Sequence, residues 1–166
     1  MTKIFPFIFI LLWSSAFITT KPIIDNSDPF AALAFRFALV ALGFFLFSIY
    51  SKQKILVSKK KFFESFFSGV LFHGFYLGGV FYSISIGMPT AIAALIVTLQ
   101  PVLTNALSGP ILNEKVSPTQ RMGVLLGFAG AGLVLGFDLG SKIPTAGLIA
   151  TIIALLAITF STLWQK

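Results

Sequence analysis

The chain has 166 residues, of which 57% are hydrophobic and 10% are charged, and it contains no cysteine. Soluble domains carry roughly 25% charged residues, so this composition excludes a soluble domain, and the missing cysteine excludes disulfides, thiol catalysis and thiolate metal sites. The net charge of +7 does not by itself indicate a nucleic-acid partner, because the positions of the charges decide their meaning.

Six apolar stretches follow one another along the chain, and each has about the length that crosses a bilayer. A hydrocarbon core of roughly 30 Å needs about 20 helical residues, and in lipid the backbone must satisfy its hydrogen bonds within the segment. The sequence therefore predicts an all-α polytopic membrane protein with about six transmembrane helices. The predicted spans are Ile4–Thr20, Phe30–Tyr50, Phe66–Ile86, Thr90–Gly109, Pro118–Phe137 and Ala146–Trp164.

The basic residues predict how the chain is oriented in the membrane. Five lysines lie between the second and third predicted spans, and short cytoplasmic loops are enriched in lysine and arginine. With this segment in the cytoplasm, nine basic residues are cytoplasmic, Lys21 and Lys142 are outside, and Arg36 lies within a span. We expect a multi-pass protein of the cytoplasmic membrane with both termini in the cytoplasm, in contact with the lipid bilayer and not with nucleic acid. The nine are Lys3, Lys52, Lys54, Lys59, Lys60, Lys61, Lys115, Arg121 and Lys166.

Several residues mark the starts of the predicted helices. Pro29 and Pro118 precede or begin spans, where proline fits the first helical turn, and Asp28 and Ser117 are suitable N-cap residues. The link 87–89 between the third and fourth spans is very short. These two helices should therefore be antiparallel neighbours.

Pro101 differs from the other prolines because it lies near the middle of the fourth predicted span. A proline there offers no N–H to the carbonyl of Val97, and a freed carbonyl at this depth must face protein or a water-filled cavity. Pro101 also belongs to a small and polar stripe at helical spacing, so it is either a packing kink or part of a cleft. The stripe is Ala91, Ala94, Thr98, Pro101, Asn105 and Ser108, and Gln100 lies on the opposite side.

The third predicted span carries a second polar stripe. His73, Tyr76 and Ser83 share one predicted face, and polar groups within spans are candidates for function because their burial is costly unless they are paired or hydrated. We expect the two stripes and two residues of the first span to line one cleft that binds a small-molecule substrate. No metal site and no cofactor is indicated. The predicted cleft residues are Trp13, Ser15, His73, Tyr76, Thr98, Pro101 and Asn105.

Two further features of the spans have simpler explanations. Arg36 lies roughly 10 Å inside the second span at 1.5 Å per residue, where its long side chain either reaches the outer interface or pairs with an acidic group of a solute. The fifth span has glycine and alanine at four-residue spacing, in the series 123–127–131 and 132–136–140. Such spacing lets helix backbones approach closely in lipid, so we expect these residues to serve packing.

Taken in order, these residues resemble an EamA-type member of the drug/metabolite transporter superfamily. The resemblance covers Phe7 to Gly136, essentially one five-helix repeat. It rests on Trp13 followed by Lys21, Pro29 followed by Arg36, a small-residue-rich third helix joined by a short turn to the helix with Pro101, and Glu114 before the glycine-rich fifth helix.

The resemblance implies ten helices in two five-helix repeats of opposite orientation, with solute bound near the midplane and moved by alternating access. Residues 1–140 would form one repeat, and residues 141–166 would be the first helix of an incomplete second repeat that ends with Trp164 and Lys166. The four further helices would have to come from elsewhere, for example from a second chain.

Two functions therefore stay open. The first is a transporter, or half of one, that moves a small organic metabolite or drug-like solute across the cytoplasmic membrane. The second is a truncated, non-transporting membrane fragment or an accessory membrane subunit. The nine-to-two charge bias disfavours insertion in both orientations, so we expect these 166 residues alone to insert stably but to transport poorly.

Two other classes fit the residues badly. The chain has one histidine and no acidic residue is predicted well inside a span, so an intramembrane acid–base pair or zinc motif is not indicated and no enzyme is expected. Small multidrug antiporters depend on a carboxylate inside the first helix, and this first helix has none. Glu64, Glu114 and Asp138 lie near predicted helix ends, where solvation or pairing with lysine is expected.

Overall fold

A computed structural model describes residues 4–52, 58–112, 117–137 and 143–165. Secondary structure in this part of the chain is helical, and five of the helices are long and apolar enough to cross a membrane. This confirms the prediction of an all-α polytopic membrane protein. The helices are α1 Phe5–Asn26, α2 Pro29–Tyr50, α3 Lys59–Ser85, α4 Thr90–Leu112, α5 Pro118–Phe137 and α6 Thr145–Trp164.

Side chains cap the starts of α2 and α5. Asp28 Oδ1 accepts hydrogen bonds from the backbone N–H groups of Phe30 and Ala31, at 3.0 and 2.8 Å. At α5 the Ser117 hydroxyl accepts from the Gln120 N–H at 3.2 Å, and Gln120 Oε1 accepts from the Ser117 N–H at 2.7 Å. Each bond satisfies a backbone donor that the helix leaves without an internal partner. The two predicted N-caps are thus confirmed.

Two helices extend beyond their predicted bounds. Helix α1 continues to Asn26, whose side-chain amide donates to the Pro22 carbonyl at 2.8 Å. Helix α3 begins at Lys59, because Ser58 caps it and accepts from the Lys61 N–H at 3.4 Å. Lysines 59–61 therefore lie in the first turn of a helix and not in a loop. Lys3, Lys54, Lys115, Lys142, Lys166, Glu114 and Asp138 lie outside the described residues.

Pro101 interrupts α4 as its position predicts. The helix is regular over Thr90–Val97 and again over Gln100–Leu112. The turn between the two parts keeps bonds from the Thr98 N–H to the Ala94 carbonyl at 2.9 Å and from the Leu99 N–H to the Ile96 carbonyl at 3.1 Å. The break follows from the N–H that proline lacks.

The turn between α3 and α4 depends on one glycine. Gly87 has a φ of +96°, a conformation that residues with a Cβ rarely adopt. Its N–H donates to the Ile84 carbonyl at 3.0 Å, and the next N–H, of Met88, donates to the Ser83 carbonyl at 3.0 Å. Helices α3 and α4 contact each other beside this turn, so they are neighbours as the short link predicts.

Helix α6 is the most buried helix of the bundle. Half of it is buried, against 6% of α1 and of α2, and it packs along α3 and on both parts of α4. The backbones come close at small residues: a Cβ added at Gly79 would lie 3.0 Å from the Ala150 carbonyl oxygen, and one added at Gly147 would lie 3.2 Å from Met88 Cβ. The buried core consists of Tyr76, Val80, Ile84, Met88, Ile92, Ala93, Ile96, Val97, Ala154, Leu155, Ala157 and Ile158.

The glycines of α5 differ in their surroundings. A Cβ added at Gly127 would lie 2.9 Å from Val102 Cγ2 of α4, whereas nothing lies within 4 Å of one added at Gly123, Gly130 or Gly132. Close packing in the described part of α5 therefore occurs at Gly127 and not along the whole glycine series.

Candidate functional site

A small cavity lies among α1, α2 and α3, and we call it the aromatic cavity. Its volume is about 50 Å³. The rings of Trp13 and Tyr76 stack beside it, with centroids 6.3 Å apart and planes inclined by 7°. Tyr76 is only 3% exposed. The lining residues are Trp13, Ala16, Phe17, Thr20, Arg36, Tyr76, Leu77, Val80 and Phe81.

A larger and more polar cavity lies between the Lys59 end of α3 and the Trp164 end of α6, and we call it the polar vestibule. Its volume is about 920 Å³, and its lining residues are Glu64, Ser65, Ser68, Gly69, Phe72, His73, Trp164 and Gln165. Glu64 stands at its outer end, where Lys60 Nζ lies 3.8 Å from Glu64 Oε1. The vestibule thus combines one carboxylate with hydroxyl, amide, imidazole and aromatic groups.

Hydrogen bonds between α3 and α6 form the wall of the polar vestibule. The Ser161 hydroxyl donates to the Ser68 carbonyl at 3.1 Å, and the two serine hydroxyl oxygens lie 2.9 Å apart. The Gln165 side-chain amide donates to the Ser68 hydroxyl. Both serines are buried. These bonds hold the two helices together at a depth where unpaired polar groups are costly.

The two cavities meet successive stretches of α3. The polar vestibule contacts α3 up to Phe72 and His73, and the aromatic cavity contacts it from Tyr76 onward. Between them the Phe72 and Tyr76 rings meet edge to face, with centroids 5.3 Å apart. This part of α3, Val70–Leu77, is a π-helix, a rare form that is frequent at functional sites. An aromatic contact therefore joins the lining of the polar vestibule to that of the aromatic cavity.

The structure does not bring the seven predicted cleft residues into one cavity. Trp13 and Tyr76 line the aromatic cavity together, and Arg36 joins them. His73 lines the polar vestibule instead, and its ring contacts Phe37 of α2 at 4.8 Å. The π-helix explains this separation, because its wider turn no longer places residues three apart on one face as an α-helix does.

The remaining four predicted residues lie on exposed surfaces. Ser15 donates to the Leu12 carbonyl of its own helix at 2.8 Å, and Thr98 donates to the Leu95 carbonyl at 2.7 Å. Pro101 and Asn105 are exposed as well. The cause lies on the other side of α4, where Gln100 Nε2 donates to Thr162 of α6 at 3.1 Å. Since α6 covers that face, Thr98, Pro101 and Asn105 of the predicted stripe turn outward, whereas Ser108 at its end is buried.

Sequence reasoning missed the polar residues that α6 contributes. Ser161 and Gln165 are four residues apart and share one helical face, a spacing that could have indicated a polar seam. Their partner Ser68 lay inside the third predicted span. Gln100 also belongs here, because its amide joins Thr104 to Thr162, each at 3.1 Å. Among the described residues no three His, Asp or Glu side chains lie together as metal ligands.

The structure is thus an all-α bundle of apolar helices with a small aromatic cavity and a larger polar one along α3. The model of the EamA-like transporter family matches residues 3–136, and the chain belongs to this family. It is therefore a multi-pass membrane protein of a family that transports small solutes and is not in general enzymatic. The family assignment confirms the resemblance that the sequence suggested. No curated protein and no solved structure matches the chain.

Proposed function

We propose that this chain is a membrane transporter, or half of one, that moves a small organic metabolite or drug-like solute across the cytoplasmic membrane by alternating access. The observation that carries the proposal is the contact between Phe72, which lines the polar vestibule, and Tyr76, which lines the aromatic cavity; we infer that this contact is the barrier between the two cavities. A carrier needs a solute site with a barrier on each side, so that the site opens to one side at a time. The alternative of a non-transporting fragment or accessory subunit has no comparable support.

In this proposal the solute passes from the polar vestibule to Trp13 and Tyr76 when the Phe72 ring moves. The vestibule is wide and polar, which suits a hydrated solute that enters from the cytoplasm. The aromatic cavity is small and only partly open, which suits a narrow part of the path toward the other side. The π-helix Val70–Leu77 is the element whose local rearrangement would move Phe72 and His73 relative to Tyr76, and π-helical turns are frequent at functional sites.

The experiment replaces Phe72 with alanine and measures whether a thiol reagent reaches the aromatic cavity. Thr20 lines the aromatic cavity and is buried, and the chain has no native cysteine, so Thr20→Cys gives a single reporter. A membrane-impermeant thiol reagent is added from the side of Ser58, in vesicles of known orientation. We expect no labelling of Thr20→Cys alone and clear labelling after the additional change Phe72→Ala.

The matched control is Phe75→Ala in the same reporter chain. Phe75 lies in the same π-helix but is 54% exposed and lines neither cavity. Its removal should leave Thr20→Cys unlabelled. Equal labelling with Phe75→Ala and Phe72→Ala, or labelling without either change, would mean that Phe72 is no barrier.

A further inference from the structure

Arg36 brings a positive charge into the membrane beside the aromatic cavity. It lies in the second turn of α2, within an apolar span. The ion pairs among the described residues are Lys21–Asp25 and Lys60–Glu64, and neither involves Arg36. Charged groups within spans are rare and are normally paired or placed at a hydrated cavity. Arg36 is exposed beside the cavity, so its guanidinium group is accessible to an anionic partner.

The other lining groups add hydrogen-bond donors for an anion and supply no carboxylate for a cation. Trp13, Thr20 and Tyr76 carry the remaining polar side-chain groups of the cavity, and no lining residue is a carboxylate. The indole N–H donates only, while hydroxyl groups donate or accept. Guanidinium binds carboxylate through two parallel N–H···O bonds, which are roughly twice as strong as neutral ones. A site of this composition selects an oxyanion.

The size of the cavity limits what enters it. A volume of about 50 Å³ is a few times the roughly 10–15 Å³ that one water molecule needs by the same measure. The cavity therefore holds the carboxylate group of a solute but not an aromatic ring. The body of a larger solute must displace the Trp13 ring from Tyr76, so binding should change the environment of Trp13.

We propose that the aromatic cavity binds the carboxylate group of an organic anion, with Arg36 as its partner, and that organic carboxylates are the substrate class of this carrier. The proposal rests on the proposed function, because it names the class of solute for the same site. The sequence left two roles open for Arg36, which were to reach the outer interface or to pair with a solute. The proposal selects pairing with a solute. The shared chemistry is an oxyanion, which a solute carboxylate or a lipid phosphate could supply, and the test separates these sources.

The test uses Trp13 as a fluorescent reporter. The chain has two tryptophans, so Trp164→Phe leaves Trp13 alone. The purified chain in dodecyl maltoside micelles, which contain no phosphate, is titrated at about pH 7, where carboxyl groups are ionised. The probes are para-bromobenzoate and its neutral isostere para-bromobenzamide, whose bromine quenches tryptophan on contact. We expect saturable quenching by the benzoate at concentrations roughly tenfold or more below those that the amide requires.

Three variants locate the effect. Arg36→Gln should remove the preference for benzoate, and Arg36→Lys should keep part of it, because the charge remains while the two-pronged geometry is lost. Arg121→Gln is the matched control, since Arg121 is exposed near the start of α5 and lines neither cavity. It should bind as the parent chain does. Helical circular dichroism shows whether each variant is folded, and Arg36→Lys serves if Arg36→Gln does not fold.

Each of the other outcomes would contradict the proposal and would show which part of it is wrong. Equal quenching by benzoate and benzamide, or an unchanged preference in both Arg36 variants, removes the carboxylate class but leaves a solute site at Trp13. Displacement of benzoate by short-chain phosphatidylglycerol, dependent on Arg36, assigns the oxyanion to lipid. Absence of saturable quenching by either probe removes the cavity as a solute site, whereas the Phe72 labelling experiment tests the barrier independently.

Discussion

At the scale of single residues, Gly79 sets how closely α3 and α6 approach. A Cβ at this position would lie 3.0 Å from a backbone oxygen, of Ala150, and 3.2 Å from the Cβ of Ala154. Neither of these atoms belongs to the flexible end of a side chain that could move aside. In lipid, where apolar side chains gain little by leaving the solvent, such close contacts are a main source of helix association.

We therefore predict that Gly79→Val lowers the free energy of unfolding by about 1 to 3 kcal/mol, the usual range for overpacking. Gly43→Val is the matched control, because Gly43 lies in α2 with nothing within 4 Å of an added Cβ. Both changes place the same β-branched residue in a helix, so the difference between them isolates the clash. Denaturation in mixed micelles, followed by circular dichroism, measures both, and equal losses would contradict the close approach.

Some residues of the candidate site could be predicted from the sequence alone, and others could not. Trp13, Tyr76 and Arg36 could be selected from the sequence, because aromatic and charged groups within spans are unusual, and the structure places them at one cavity. Thr98, Pro101 and Asn105 carried the same kind of signal but lie on an exposed face. Helical spacing shows which residues share a face, yet it does not show which face a neighbouring helix covers.

At the scale of helices, the polar contact between α3 and α6 fixes their register. Ser68 and Ser161 are buried and hydrogen bonded across the interface, with Gln165 as a third member. A sliding or rotation of α6 would break these bonds within a largely apolar bundle. Interhelical bonds of this kind contribute about 0.6 kcal/mol on average in membranes, so they specify position more than they add stability.

We predict that Ser68→Cys and Ser161→Cys together form a disulfide under mild oxidation. The two hydroxyl oxygens are 2.9 Å apart, and the chain has no other cysteine, so the product is unambiguous in mass spectrometry. The control pair is Ser85→Cys with Ser161→Cys, because Ser85 lies several turns further along α3. The control should stay reduced. A failure of the first pair, or efficient oxidation of the control, would show that α6 packs elsewhere.

The break in α4 is a local feature that the sequence could predict in full. It follows from the chemistry of one proline, which needs no partner helix to act. The π-helix in α3 could not be predicted from the sequence, because nothing in the composition of Val70–Leu77 indicated it. That segment packs against α6, a tertiary contact that the local sequence does not predict.

At the scale of the whole molecule, the basic residues still predict the orientation in the membrane. Ser27 lies just before the start of α2, and Ser58 lies beyond the other end of this helix. We predict that a reporter active only in the cytoplasm works when fused at Ser58 and fails at Ser27, and that a reporter active only outside does the reverse. The physical reason is the concentration of lysine around Ser58. Activity of one reporter at both positions would remove the predicted topology.

The sequence by itself determined the class, the approximate bounds of the helices, the caps, the break at Pro101 and the family. These depend on local constraints: the length of a bilayer crossing, the need to satisfy backbone hydrogen bonds in lipid and the chemistry of single capping or proline residues.

Only the tertiary structure decided that α6 lies at the centre, that Trp13 and Tyr76 share one cavity while His73 lines another, and that Gln100 meets Thr162. In a membrane, apolar faces against lipid and against protein have nearly the same composition. The pattern of hydrophobic residues therefore does not choose the neighbours of a helix. That choice falls to the close fit of small residues such as Gly79 and Gly147 and to a few polar contacts, which exist only once the helices meet.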